Sequence, residues 1–274
     1  MKILVLGAKS FLAKEIKSYF KDDKRFYYSD RSTIDLENSA QVDDLFNKHY
    51  FDFVINTCSV GGKLGIQDNF SVLSKNLSMF NNLLKNRNKY GYLFNFCSGA
   101  AFDRSYPISE VKEDYIVFAN PKDFYGLSKK IIASESLKHN NIFTFRLFGC
   151  FGKFESEGRL LKNIILAHKN NTEIKIVEGK VMDYISATDV CRVLEYYINN
   201  ISLPLYKDIN LVYNEKITLE QFAETALQEL SSYKKYSLIE GSRSPYTGDS
   251  KRLSTLPIKL IGLRESIKEV IKNG

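Results

Sequence analysis

The sequence predicts an α/β protein built on a doubly wound parallel sheet. Short apolar runs alternate with segments of helical period through the first half of the chain. Those runs are continuous in apolar character rather than alternating, as in strands buried on both faces. No internal repeat competes with that reading.

Lys2–Leu6 reads as the first strand, followed by a helix over Phe11–Phe20 with Leu12, Ile16 and Phe20 at helical spacing. Phe26–Tyr28 is the second strand. Ser39–His49 is a helix with Val42, Leu45 and Phe46 turned inward. Phe53–Asn56 is the third strand, and Asn69–Lys89 a long helix. Tyr92–Cys97, a helix over Tyr125–Leu137 and a strand over Ile142–Leu147 complete the series. Right-handed crossovers then place a ligand at the carboxyl ends of the strands, where the sheet order reverses. After Gly149 the pattern loosens. Leu160–Lys169 and Leu219–Leu230 read as helices, Ile174–Val177 and Tyr206–Val212 as strands. The expected division is a sheet domain over residues 1–150, with 181–203 returning to it. A smaller interleaved lobe for substrate takes most of 151–274.

A chain of 274 residues buries a sizeable core without staples. Its net charge of +7, from 39 Lys+Arg against 32 Asp+Glu, suits an anionic ligand. The positive residues are scattered, however. The densest stretches are Lys21–Arg25, broken by two Asp, and Lys234-Lys235, which argues against nucleic acid. Cys58, Cys97, Cys150 and Cys191 have neither metal-ligand nor redox spacing, so no metal is expected. Three of them lie in apolar runs, as free thiols do in a reducing cytosol. Met1 leads straight into a strand, and no apolar run reaches membrane length. A cytoplasmic protein without a membrane partner is expected.

Gly7-Ala8-Lys9-Ser10-Phe11-Leu12-Ala13 joins the first strand to the first helix, the context of a dinucleotide fingerprint in a Rossmann-type fold. Backbone N–H groups at such a helix start can hold a pyrophosphate. Only the first of the three usual glycines is present. Ser10 and Ala13 stand for the others, and both are small. Alone, the turn fits an ordinary tight βα connection equally well. The second strand runs into Ser29-Asp30-Arg31. An acid there favours the ribose hydroxyl of NAD, an Arg the 2′-phosphate of NADP. Lys9 adds a second cation, and two cations against one carboxylate favour NADP, with NAD as the alternative. Plain surface charge is the competing reading of Lys9 and Arg31.

Tyr125 and Lys129, at i and i+4, share one helix face. An ammonium beside a phenol stabilises the phenolate, which lets the Tyr pass a proton to or from a substrate oxygen. Ser98 ends the fourth strand, where its hydroxyl can bond the same oxygen or, in the plainer reading, cap a turn. Strand-end Ser, then helical Tyr and Lys, after a dinucleotide turn, form a specific combination.

On these residues the chain resembles the extended short-chain dehydrogenase/reductase family over nearly its whole length. It is most similar to the GDP-L-fucose synthase-like nucleotide-sugar reductases and epimerases. Val60-Gly61-Gly62, Asn76-Leu77, Asn81-Asn82-Leu83-Leu84 and Ser29 through Asp35-Leu36 carry the likeness. The resemblance implies Ser98, Tyr125 and Lys129 as the catalytic set. It implies Gly7, Lys9, Ser10, Phe11, Leu12, Arg31, Asp35, Leu36, Asn56 and Lys129 as cofactor contacts. It also implies hydride transfer between the cofactor and a sugar carbon, and a homodimer formed through two helices of each subunit. Asp189-Val190 and Tyr246–Leu253 match features of its substrate lobe, and Asn76 either supports the site or is a packed polar residue.

Three departures narrow the expectation. Ala100 and Phe151 stand where fucose synthases carry a Cys and a His for epimerisation. Gly99-Ala100 follows Ser98 where the dehydratases carry Asp-Glu. Met182 replaces a diphosphate-clamping Arg, a role left to Arg159 or Lys162. What remains is an NADP(H)-dependent reductase of a nucleotide-activated 4-keto (deoxy)sugar. The alternatives are an NAD(P)-dependent 4-epimerase and a non-catalytic NADP-binding sensor or scaffold.

Overall fold

The computed structural model describes residues 1–62, 65–232 and 236–273; Lys234-Lys235 falls outside them. The chain runs β1 (Ile3–Leu6), α1 (Phe11–Tyr19), β2 (Phe26–Ser29), α2 (Ser39–Lys48), β3 (Phe53–Asn56) and α3 (Phe70–Lys85). It continues β4 (Tyr92–Ser98), β5 (Ile108–Val111), α4 (Phe124–Ser136), β6 (Ile142–Leu147), β7 (Cys150–Phe151), α5 (Leu160–Asn170) and β8 (Ile174–Val177). Then come β9 (Ile185–Ser186), α6 (Ala187–Asn199), β10 (Asp208–Leu211), α7 (Leu219–Glu229), β11 (Tyr236–Ile239), β12 (Tyr246–Gly248), α8 (Lys251–Ser254) and α9 (Leu263–Asn273).

Six strands form one sheet in the order β10-β6-β4-β3-β1-β2. Every pairing in it is parallel. Side chains alternate faces along a strand. Ile3 and Val5 of β1 and Phe53 and Ile55 of β3 therefore enter one core, with Ala13 and Ile16 of α1 and Val190 and Leu194 of α6. Leu4, Leu6 and Val54 enter the opposite core, with Val42 and Phe46 of α2 and Phe80 and Leu83 of α3. The expected doubly wound α/β sheet is therefore present. Its order reverses at β1, between β2 and β3, so the crevice opens where β1 and β3 end.

The sixth strand comes from beyond residue 150. β10 pairs with β6, and a buried Arg146 secures it, bonding Asp208 at 2.7 Å and Asn210 at 3.1 Å. The remaining strands pair outside this sheet: β8 with β11, β5 with β12, and β7 with β9.

Two elements differ from expectation by more than one residue. The third helix ends at Lys85 rather than Lys89. Asn86 stops it by folding its amide onto Asp43 and Asn82, and a 3-10 turn takes Arg87–Lys89. The expected strand 206–212 is trimmed to Asp208–Leu211. No helix among the described residues is long and apolar enough to cross a membrane.

Candidate active site

Gly7 follows β1, and its backbone is left-handed (φ +86°). A Cβ there would stand 2.7 Å from Thr57 Oγ1 and 2.9 Å from Cys58 Sγ, so glycine lets the turn lie directly on the end of β3. The N–H groups of Gly7 and Ala8 both donate to Ser29 O at 2.9 Å, which ties the turn to β2. Ser10 caps α1, its Oγ accepting from Ala13 N at 3.2 Å. Thr57 donates to Leu6 O at 2.7 Å, so Ser10 is the donor in the 2.7 Å Ser10–Thr57 bond. The Phe11 and Leu12 N–H groups find no acceptor among the described residues. They are the free first-turn donors that suit a phosphate oxygen. Gly7, Ser10, Phe11 and Leu12 thus form one cradle.

The charges at the end of β2 are more balanced than their order along the chain suggests. Lys9 Nζ pairs with Asp30 Oδ2 at 2.9 Å. The Ser32 hydroxyl and Lys9 hold the Asp30 carboxyl well below the usual carboxylate range. Arg31 Nη2 lies between Asp35 Oδ2 (3.1 Å) and Glu37 Oε1 (3.2 Å). Three carboxylates therefore surround the two cations. Lys9 and Arg31 are both well exposed.

Two expected cofactor contacts are placed differently. The Leu36 side chain is buried in the core beside Val42 and Phe46, which leaves only its backbone for a ligand. The Asn56 amide is used inside the protein: it donates to Asn95 Oδ1 at 2.8 Å and accepts from Cys58 N at 3.1 Å. Asn56 therefore orders the end of β3 instead of presenting its amide to the crevice.

The catalytic candidates gather because α4 packs closely on the turn after β4. A Cβ on Gly126 would lie 2.4 Å from Ala100 O. Asp123 caps α4 through Gly126 N at 2.7 Å and pairs with Arg104 at 2.9 Å. One turn further, Lys129 is buried and donates to Phe96 O on β4 at 3.3 Å. Its Nζ lies 5.6 Å from the centroid of the Tyr125 ring. No carboxylate among the described residues pairs with it. A buried ammonium with three protons and one protein acceptor has donors to spare for a ligand. The Tyr125 ring also meets Gly62, where a Cβ would come within 2.7 Å of it.

Cys58 joins the two ends of the crevice. It packs against Gly7, and Lys129 is close enough to offset slightly the burial that pushes its thiol up to about 11. The Gly7 turn and the Tyr125–Lys129 pair thus both border Cys58. Among the described residues no cluster of three or more His, Cys, Asp or Glu side chains is arranged to hold a metal.

Ser98 ends β4 and accepts from Ala100 N at 3.1 Å. Beside it lies the Tyr246 hydroxyl, a neighbour that sequence spacing does not reveal; Arg104 and Tyr125 complete the surroundings of that phenol. Asn76 is buried and bonds Val60 and Ser128, so it braces the loop and helix around Tyr125. Ala100 and Phe151 are both buried, Phe151 edge-on to Phe222 at 5.5 Å. Met182 is bridged to Tyr246, and Arg159 begins α5 near Glu155 and Tyr184.

A family model described as the NAD dependent epimerase/dehydratase family matches residues 3–211. The chain belongs to that family. No curated protein matches it by sequence. Among solved structures, it resembles a dTDP-4-dehydrorhamnose reductase from Clostridium acetobutylicum, with TM-score 0.82 and 20% identity over 100% of this chain and 99% of that one. A GDP-mannoheptose C4 reductase from Campylobacter jejuni, solved with NADP bound, gives 0.82 and 19% over 99% and 97%. A GDP-L-fucose synthetase from Naegleria fowleri gives 0.78 and 17% over 98% and 91%. At these identities the likeness establishes the fold. For this member of the family, function rests on the site.

Proposed function

We propose that this epimerase/dehydratase-family chain is an NADP(H)-dependent reductase of a nucleotide-activated 4-keto (deoxy)sugar. The observation that carries the reading is Lys129: buried, unpaired with any carboxylate, and held between Phe96 O and the Tyr125 ring. A structural lysine in that position would strand a charge; a ribose and a phenolate give it partners.

The residues present fit a dinucleotide. Phe11 and Leu12 N–H would meet the pyrophosphate, Lys9 and Arg31 the 2′-phosphate, and Lys129 the nicotinamide ribose. When bound, NADPH supplies a hydride to the ketone carbon. Tyr125 gives its proton to the ketone oxygen, and Lys129 stabilises the phenolate left behind. Ser98 donates a hydrogen bond to that oxygen as negative charge develops on it. Ala100 and Phe151 provide no second acid–base pair, so reduction proceeds without epimerisation at a neighbouring carbon. Two of the related folds are named as reductases of nucleotide-linked sugars, which supports the substrate class.

The enzyme works in the cytoplasm on this reading, consistent with four free cysteines. It pairs into a homodimer through α3 and α4, whose exposed Phe70 and Phe124 meet edge-on at 6.0 Å. Light scattering of the purified protein tests the dimer.

The activity test follows NADPH absorbance with dTDP- and GDP-linked 4-keto-6-deoxyhexoses. Stoichiometric loss of NADPH is expected; turnover without net loss would indicate a 4-epimerase instead. Tyr125→Phe is expected to lower kcat by about 10²–10⁴-fold with NADPH affinity unchanged. Binding without turnover in the wild type would leave a non-catalytic NADP-binding protein.

A further inference from the structure

Glu15 is a buried acid that the proposed reaction does not use. It lies in the second turn of α1 and is 8% exposed. A carboxyl group is costly to bury unless it is bonded. Glu15 Oε1 accepts from Phe154 N at 2.8 Å. Gly152 makes room for it: a Cβ there would stand 2.8 Å from Glu15 Cδ and 3.0 Å from Ala187 Cβ, at the start of α6. The acid therefore fills the space that Gly152 leaves open and grips the backbone two residues further on.

Phe154 belongs to the segment that leaves β6. That strand ends level with the catalytic serine, Leu147 pairing with Ser98. Phe148 then packs on Gly99, where a Cβ would come 2.5 Å from its ring. Cys150-Phe151 pairs with Ile185-Ser186, and Gly152–Phe154 reaches Glu15. Just beyond, Glu155 Oε1 accepts from Lys162 N at 2.7 Å, which ties the same segment to the first turn of α5. One stretch of chain thus runs from beside Ser98, past α1, into α5. We propose that Glu15 is a positioning residue: its oxygen, bonded to Phe154 N, fixes the segment after β6 to the cofactor helix and so seats the sugar-binding lobe against α1. The Phe11 and Leu12 N–H groups lie ahead of Glu15, and Ser10 caps the helix independently of it. The dinucleotide therefore keeps its contacts when Glu15 is changed, while the sugar side loses its anchor. The kinetic consequence rests on the reductase reading; the Glu15–Phe154 bond does not.

The test uses the full chain with Glu15→Gln, which keeps an oxygen to accept from Phe154 N, and Glu15→Met, which fills similar space without one. Gly152→Ala crowds the carboxyl group from the opposite side. Glu15→Met and Gly152→Ala are expected to raise the KM for the 4-keto sugar about tenfold, with kcat and NADPH affinity within about threefold of wild type. Glu15→Gln is expected to stay within about threefold of wild type in all three quantities. Amide hydrogen exchange at residues 152–155 should quicken about tenfold or more in the first two variants and not in Glu15→Gln. If Glu15→Met does not fold, Gly152→Ala carries the same comparison. An unchanged KM overturns the proposal, as does a Glu15→Gln protein as impaired as Glu15→Met. So does a loss of NADPH affinity equal to the rise in KM, which marks general damage to α1. If the wild type reduces neither sugar, the reductase reading is what fails, and Glu15 is judged on exchange alone. Protection at 152–155 that Glu15→Met or Gly152→Ala removes and Glu15→Gln keeps then upholds the anchor, and equal protection in all the proteins overturns it.

Discussion

Asn76 Nδ2 donates to Ser128 Oγ at 3.0 Å, immediately before Lys129 in the chain. Ser128 passes the contact on, donating to Tyr125 O at 2.7 Å. The same amide grips Val60 through its carbonyl (3.0 Å) and its N–H (2.9 Å). One buried side chain thereby aligns the loop after β3 with the first turns of α4. Asn76→Ala removes all three bonds and leaves Val60 groups unsatisfied. It is expected to cost about 1–3 kcal/mol in urea unfolding and to lower kcat more than NADPH affinity.

Gly7→Ala forces a side chain into a left-handed backbone and against Thr57 and Cys58. A loss of about 1–3 kcal/mol in stability is expected. Fluorescence titration should show NADPH binding weakened as well, since the turn can no longer lie against β3.

On the proposed function, Lys9 and Arg31 favour NADPH over NADH. Each already pairs with carboxylates, so a 2′-phosphate has to compete with Asp30, Asp35 and Glu37. Lys9→Ala or Arg31→Ala should weaken NADPH about tenfold or more and leave NADH nearly unchanged, as measured by parallel titrations. Equal losses for both dinucleotides would remove these residues from phosphate recognition.

Glu155 sets a pH dependence of stability. It is 6% exposed, and burial pushes its carboxyl up to about 7, despite a 2.7 Å bond from Lys162 N. The folded protein therefore holds a proton that the unfolded chain releases from its ordinary value of 4.5 upward. That contribution is complete below the ordinary value and is lost as pH rises through about 7. Glu155→Gln, neutral throughout, is expected to be more stable than wild type by roughly 2 kcal/mol near pH 8. The gain should shrink toward zero by about pH 5 in urea unfolding.

The first-half strands were legible because their burial on both faces leaves nothing but apolar side chains, as in Ile3–Leu6. The placement of Ser98 at a strand end and of Tyr125 and Lys129 on one helix was legible because a strand end and an i,i+4 spacing are local. The end of α3 was not: Asn86-Arg87-Asn88-Lys89 contains neither Gly nor Pro, and the stop depends on Asp43 of another helix. Asn56 was read as facing a ligand because its partner, Asn95, is fixed by strand pairing rather than by sequence distance. Tyr246 was matched to the substrate lobe, but its approach to the end of β4 was hidden for the same reason. Its place beside Ser98 is decided by β5–β12 pairing and by the empty side of Gly99.

The position of β10 has a consequence for how the chain is made. A ribosome-bound chain that has emerged only as far as β6 has an open sheet edge, with the N–H and C=O groups of β6 ready to pair with any passing strand. It also holds the Arg146 guanidinium in an apolar setting with Asp208 still untranslated. Both hazards end only when residues 208–211 emerge and dock. Nascent chains arrested between these points should therefore aggregate or recruit chaperones, whereas chains released beyond β10 should not.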